Sequence, residues 1–149
     1  MTLSENAQAN VVRPAPEIPL RTGDKVVSLK AFRGQPVVVV FGESPSTSAW
    51  KRQVKELETM YDHFASSKVL FVAAFSSGTQ EPVTSNIPFL VTPSGKATCD
   101  AYGVSEKFAI AIIGADGNLD YLTRDTLHAS RVREVLKNSY TVQQADRRR

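Results

Sequence analysis

Three uninterrupted apolar runs divide the chain, at residues 37–41, 69–75 and 109–113. Runs of this length without alternation are typical of strands that are buried on both faces of a sheet. A strand, a helix and a second strand in succession predict a βαβ unit with parallel strands. The helix is predicted over residues 48–65, because apolar side chains recur there at spacings of four and three, at Trp50, Val54, Leu57, Tyr61 and Phe64.

Shorter patterns place the next elements. Residues 19–32 contain a Thr-Gly-Asp turn and predict a short hairpin. Residues 87–91 are apolar but include Pro88, which cannot donate to a sheet, so they predict an edge strand. Residues 95–102 predict a short helix that ends at Gly103, a residue type favoured directly after a helix.

The end of the chain returns to the sheet and then forms a last helix. The Asp116-Gly117 pair follows the third apolar run and predicts a hairpin turn, because glycine tolerates a positive φ. Residues 119–122 then return as an antiparallel strand, and residues 127–140 predict the final helix. Together the elements predict an α/β fold, a three-layer sandwich with a mixed central sheet and helices on both faces.

A chain of 149 residues fits one domain, predicted at residues 18–140, with a flexible arm at residues 1–17 and a polar, basic tail at residues 141–149. Much of the net charge of +3 lies in the three terminal arginines. We interpret them as solvated and expect no nucleic-acid partner, with a nucleic-acid or acidic-membrane contact as the alternative. The first residues do not resemble a signal peptide, and no apolar run could span a membrane. We therefore predict a cytoplasmic protein, with an exported mature form left open.

Cys99 is the only cysteine, so the chain can form neither an internal disulfide nor a cysteine-cluster metal site. The acidic residues show no metal-ligand spacing, and we expect no metal and no cofactor. Free cysteine is among the most buried residue types, so we expect Cys99 to be buried and inert. The alternative is an exposed redox or regulatory thiol.

Three segments occur in the order PEIPLRTGDKVVSLKAFRGQPVVVVF, IPFLVTPSGKATCDAYGV and AIAIIGADGNLDY. Over roughly residues 16–136 they resemble the thioredoxin fold. More closely, they resemble its alkyl hydroperoxide reductase/thiol-specific antioxidant branch, which is peroxiredoxin-like and thiol:disulfide-reductase-like. The resemblance implies a thioredoxin-like three-layer sandwich, with an active site in the turn after residues 37–41.

The residues of that turn depart from the family pattern. Family members carry a C-x-x-C or a T-x-x-C motif there. In the first alignment Ser46 and Ala49 replace the two cysteines. In the second alignment Ser44 takes the threonine position and Thr47 replaces the peroxidatic cysteine. Neither alignment leaves a thiol in the turn.

A second departure lies before the run at residues 109–113. Reductase-like members place a cis-proline there, and peroxiredoxins place an arginine close by that lowers the thiolate pKa. Both alignments reach Phe108 at this position. The loss of the thiol together with the groups that activate it argues for a degenerate site.

Hydroxyl groups cannot replace a thiolate without a base within hydrogen-bond reach. His63 and His128 are both expected to lie far from the turn, so we do not expect a Ser/His pair. We expect Ser46, Thr47 or Ser48 to cap the following helix. The alternative is a small anion bound at this helix start, which the nearby Glu43 would oppose.

The leading functional hypothesis is a redox-degenerate binding or scaffolding module that uses the former active-site face. Ser46, Thr47, Ser48, Trp50 and Phe108 are the predicted binding residues, although we expect Trp50 to belong mainly to the core. The predicted partner is a peptide, another protein or a second copy of the chain. The alternative is a thiol oxidoreductase or antioxidant that works through Cys99. A third possibility is a partner contact made by the arginine-rich tail.

Overall fold

A computed structural model describes residues 13–105 and 107–137. Within these ranges eight strands form, and all of them except β1 lie close to a predicted apolar segment or turn. They are β1 (Arg13–Pro14), β2 (Pro19–Thr22), β3 (Lys25–Ser28), β4 (Val37–Gly42), β5 (Leu70–Phe75), β6 (Leu90–Val91), β7 (Phe108–Ile113) and β8 (Asn118–Thr123).

The same ranges contain four α-helices and one 3₁₀ turn at Leu29–Phe32. The helices are α1 (Ser48–Glu58), α2 (Tyr61–Ser66), α3 (Gly95–Ala101) and α4 (Ala129–Lys137). None of the helices in the described part of the chain is long and apolar enough to cross a bilayer.

Six of the strands form one sheet in the order β1-β8-β7-β4-β5-β6. Strand β4 runs parallel to β5 and antiparallel to β7, so the sheet is mixed. β6 pairs with β5 at the edge of the sheet, as Pro88 indicated. Strands β2 and β3 form the predicted hairpin, which is a separate two-stranded sheet.

The side chains of β4 alternate between two separate apolar clusters. Val37, Val39 and Phe41 join a cluster that includes residues of the β2–β3 hairpin and of α3. Val38 and Val40 join a second cluster, which contains residues of α1, α2 and α4. Both faces of the sheet are therefore covered, and the predicted three-layer α/β sandwich is confirmed.

The single helix predicted over residues 48–65 is wrong, because two helices occupy this stretch. Met60 has φ −127° and ψ 22°, outside the helical region, and it separates α1 from α2. At the end of α1 the Thr59 hydroxyl donates to the Glu56 carbonyl oxygen at 2.6 Å. A threonine side chain that binds the backbone in this way competes with continued helix formation.

The short helix α3 ends as the sequence predicts. Gly103 has φ +70°, and the Val104 N–H donates to the Cys99 carbonyl oxygen at 2.8 Å. The Gly103 N–H also donates to the Asp100 carbonyl oxygen, at 3.1 Å. These two bonds form the Schellman motif that commonly terminates a helix.

The last helix begins at Ala129 rather than at the predicted residue 127. The backbone of Leu127 is held by Gln53 instead, which donates to its carbonyl at 2.8 Å and accepts from its N–H at 2.7 Å. The predicted end of this helix, at residues 138–140, lies outside the described residues.

Part of the predicted N-terminal arm lies against the sheet. Arg13 and Pro14 pair with Leu119 and Asn118 of β8. The Tyr102 hydroxyl donates to the carbonyl of Pro16 at 2.6 Å. The domain boundaries at residues 17 and 140 stay a prediction.

The β7–β8 hairpin contains a buried carboxyl group that lacks a hydrogen-bond partner. The register between the two strands shifts after Ile112, and Asp120 is the extra residue at this irregularity. Asp120 is 6% exposed, and neither of its carboxyl oxygens has a hydrogen-bond partner among the described residues. Burial, together with the nearby Asp116 carboxylate, raises the pKa of Asp120 to about 6.

We expect Asp120→Asn to stabilise the protein at pH 8 and to change little at pH 4. The pKa of Asp120 is raised above its ordinary 3.8, so the folded state loses stability as the pH rises from about 4 through about 6. A pKa shift of this size corresponds to a change of no more than about 3 kcal/mol in the free energy of unfolding. Asparagine has the size and neutrality of the protonated acid and should flatten this dependence, as measured by urea unfolding across the pH range. Asp24→Asn, at an exposed turn, is the control and should leave the dependence unchanged.

We expect Gly95→Ala to destabilise the protein, although alanine normally favours a helix over glycine. A Cβ atom at Gly95 would lie 2.1 Å from the Phe75 carbonyl oxygen, so α3 or β5 would have to move. Overpacking of this kind costs about 3 kcal/mol. Ala97→Gly, at an exposed position of the same helix, should cost only about 1 kcal/mol. Urea unfolding that finds Gly95→Ala as stable as the parent would contradict the close packing of α3 on β5.

Candidate functional site

The turn between β4 and α1 lies at the carboxyl end of the two central parallel strands. Gly42, the last residue of β4, is paired with Phe75 on one side and with Phe108 on the other. The Ser76 N–H donates to the Gly42 carbonyl at 2.8 Å, and the Ser77 N–H donates to the Glu43 carbonyl at 3.2 Å. The turn, the loop after β5 and the start of β7 therefore converge. In open α/β sheets this end of the strands is the usual place for a binding site.

The hydroxyl groups of this turn bond mainly to one another. The Ser44 and Ser46 hydroxyl oxygens lie 2.8 Å apart, and the Thr47 hydroxyl donates to the Ser44 carbonyl at 3.3 Å. Thr47 is the residue at the N-cap position, but its side chain makes no capping hydrogen bond. The expectation that a hydroxyl caps α1 is therefore wrong, and the Thr47 hydroxyl donates within the turn instead.

The turn contains no activated nucleophile. The assignment of Ser44, Ser46, Thr47 and Ala49 to the positions of the family's cysteine motif stays a prediction. No hydrogen bond joins a hydroxyl of the turn to a histidine of the described chain. The imidazole of His128 lies 3.7 Å from the Glu56 carboxylate instead. A hydroxyl without a base within reach stays protonated, so the arrangement does not support nucleophilic catalysis.

Trp50 belongs to the core, as expected. Its side chain is 1% exposed, and its ring centroid lies 4.7 Å from that of Phe75 and 5.5 Å from that of Phe89. Phe108 is 6% exposed and belongs to the same cluster. Phe108 is one of the predicted binding residues, but its ring fills the core and leaves little apolar area exposed.

An open groove of about 370 Å³ runs beside the turn, and we call it the α1 groove. One wall is the turn and α1, and the other wall is the loop between β5 and β6. Its apolar lining comes from Pro45, Trp50, Val54, Pro82 and Val83.

Polar side chains surround the apolar lining of the α1 groove. They are Ser46, Lys51, Lys55, Glu58, Glu81 and Thr84. The sequence indicated the α1 wall but not the opposite wall at residues 81–84, because this wall comes from a polar loop without periodicity. Of the other predicted binding residues, Ser48 is exposed and Thr47 is half-buried at the start of α1.

Cys99 lies on the opposite side of the sheet from Trp50. It is 4% exposed and belongs to the cluster shared with Phe41 and Tyr102. Burial, and then the nearby Asp100 carboxylate, raise the pKa of its thiol above the ordinary value. The expected burial of Cys99 is confirmed. A reactive thiol needs a lowered pKa and access to solvent, and this thiol has neither.

The described residues contain no group of three or more histidine, cysteine, aspartate or glutamate side chains placed to hold a metal ion.

Similarity to solved structures shows the thioredoxin fold. The thioredoxin domain of a thiol-disulfide oxidoreductase from Bacteroides vulgatus is 15% identical, with a TM-score of 0.63, over 83% of this chain and 96% of that chain. The reduced 2-Cys peroxiredoxin of Plasmodium vivax is 17% identical, with a TM-score of 0.64, over 93% and 99% of the two chains. The exposed lipoprotein thioredoxin of Streptococcus pneumoniae is 22% identical, with a TM-score of 0.61, over 83% and 100%.

No curated protein matches the chain. The model of the AhpC/TSA family matches residues 11–122, which is most of the chain. This range contains the βαβ unit, the turn after β4, α3 and most of the β7–β8 hairpin. The match agrees with the resemblance carried by the three sequence segments. The chain belongs to the AhpC/TSA family, the peroxiredoxin-like branch of the thioredoxin fold.

Proposed function

We propose that this protein is a redox-degenerate member of its family that binds an extended peptide segment of a protein partner in the α1 groove. The observation that carries the proposal is the separation of the only thiol from the family's site. Cys99 is buried across the sheet, while the turn after β4 holds Ser46, Thr47 and Ala49. A strand, a turn and a helix are present where the resemblance places the family's site, and the turn contains no thiol.

The shape and lining of the α1 groove support a peptide ligand. A volume of about 370 Å³ lies within the range of small-ligand sites. Pro45 offers apolar contact from the turn, and Pro82 and Val83 offer it from the facing loop, since these three side chains are exposed or half-buried. The side chains of Lys51, Lys55 and Glu81 can bind polar groups on either side of an apolar residue.

The alternative is a thiol oxidoreductase or antioxidant that works through Cys99. The family favours it, because the solved relatives are described as a thiol-disulfide oxidoreductase, a peroxiredoxin and a thioredoxin. It requires α3 to open, since Cys99 is 4% exposed. The cytoplasmic location stays a prediction, and one of these relatives is described as an exposed lipoprotein.

We expect no peroxide or insulin reduction above background for the parent protein or for Cys99→Ser. The thiol of Cys99 should react with a thiol reagent only after the protein is unfolded in guanidinium chloride, because burial closes the access route. Activity in the parent that disappears in Cys99→Ser would overturn the proposal and favour the alternative.

The double variant Ser46→Cys, Ala49→Cys is the positive control for this assay. It places a C-x-x-C pair at the start of α1, where a helix N-terminus lowers the pKa of a thiol. We expect this variant to form a disulfide and to reduce insulin measurably. That result would show that the assay detects the family's chemistry in this chain.

We expect peptides selected by phage display on the native protein to bind in the α1 groove. Val83→Asp puts a charge on the apolar lining and should weaken the selected peptides at least 10-fold in isothermal titration calorimetry. Val26→Asp is the matched control, because Val26 is 54% exposed on the β2–β3 hairpin. Equal weakening by both variants, or no weakening by Val83→Asp, would place the peptide site elsewhere.

A further inference from the structure

A second cavity, of about 350 Å³, lies at the end of the molecule opposite the turn after β4, and we call it the basal cavity. Its apolar lining comes from Pro36 and Val69, which directly precede β4 and β5, and from Phe64 of α2 and Leu136 of α4. Because β4 has six residues, the basal cavity is about 20 Å from the turn after β4. None of the described residues lines both the basal cavity and the α1 groove. It is therefore a separate site, and its occupancy does not depend on the proposed function.

The charged side chains around the basal cavity are basic. Arg133 and Lys137 lie four residues apart on one face of α4, and His63 of α2 adds a third positive charge when it is protonated. All three are exposed, and none of the described residues that line this cavity is acidic. The neighbouring Arg131 does have a carboxylate partner, Glu134, and no such partner occurs for Arg133 or Lys137 in the described part of the chain.

The backbone around the cavity does not oppose a negative charge strongly. The last carbonyl groups of α2 would present negative partial charges, but they already accept hydrogen bonds. The Ser67 N–H donates to the His63 carbonyl at 3.2 Å, and the Val69 N–H donates to the Phe64 carbonyl at 3.1 Å. The charge near the cavity mouth is therefore set by the basic side chains.

We propose that the basal cavity binds a small anionic amphiphile, a monocarboxylate with an unbranched apolar body such as a fatty acid. The apolar body fits against the half-buried side chains of Val69 and Leu136, where its burial removes apolar area from water. The carboxylate stays at the mouth, where Arg133 and Lys137 can bind it with charge-assisted hydrogen bonds. An inorganic anion would leave the apolar lining unused, and an uncharged alcohol would leave the two cations without a partner.

Isothermal titration calorimetry with octanoate tests this site directly. We expect octanoate to bind the parent protein and the double variant Arg133→Gln, Lys137→Gln to bind it at least 10-fold more weakly. The matched control is Arg21→Gln with Lys25→Gln, which removes the same charges from the exposed β2–β3 hairpin. It should leave the affinity unchanged. Equal losses in both double variants would overturn the proposal, because they would show attraction by net charge alone.

The choice of ligands separates the two parts of the proposed recognition. Octan-1-ol and inorganic phosphate should each bind at least 10-fold more weakly than octanoate. If octan-1-ol bound with the same affinity as octanoate, the cations would have no role in binding. If phosphate bound with the same affinity as octanoate, the apolar lining would have no role.

Nuclear magnetic resonance then places the ligand. Octanoate should shift the methyl signals of Val69 and Leu136 and should leave those of Val83 unchanged, because Val83 lies in the α1 groove. Shifts confined to Val83 would place the ligand in the α1 groove and overturn the proposed basal site.

Discussion

The burial of β4 on both faces is the constraint on which the rest of the structure depends. Val38 and Val39 point to opposite sides of the sheet, and both are fully buried. A strand of this kind needs a layer of other elements on each face. The turn after Gly42 must then emerge at the carboxyl end of the strand, beside the loop after β5 and the start of β7. The position of the candidate site thus follows from core packing, so it can persist when the reactive residues are replaced.

The apolar pattern predicted the layers well, because it reports burial directly. The three apolar runs became β4, β5 and β7, and the mixed order of the sheet followed from the βαβ unit and the Asp-Gly turn. The same pattern could not show the break between α1 and α2. Leu57 and Phe64 are both fully buried on either side of Met60, so the apolar stripe continues through the break. The break is marked by the hydrogen bond of the Thr59 hydroxyl and by the backbone conformation of Met60. The spacing of apolar residues contains no information about either feature.

The candidate site was predictable in its place and only partly in its contacts. The sequence indicated that hydroxyls replace the thiols after β4, and the structure adds that Ser44, Ser46 and Thr47 bond within the turn. The second wall of the α1 groove comes from a polar loop, and no local pattern links that loop to α1. Gln53 is a similar case, because its partner is the backbone of Leu127, 74 residues away. Contacts between distant segments depend on three-dimensional packing, which a single sequence does not encode in any repeating signal.

Family membership and family chemistry depend on different residues in this chain. The fold is specified by apolar positions in the sheet and helices, and the match to the family rests on those positions and on the turns between them. The chemistry needs a thiolate that is accessible and has a lowered pKa. The only thiol here, that of Cys99, is buried behind the sheet, and its pKa is shifted in the opposite direction. Because the layers that hold the turn after β4 in place are specified by other residues, the side chains of that turn can change without loss of the fold.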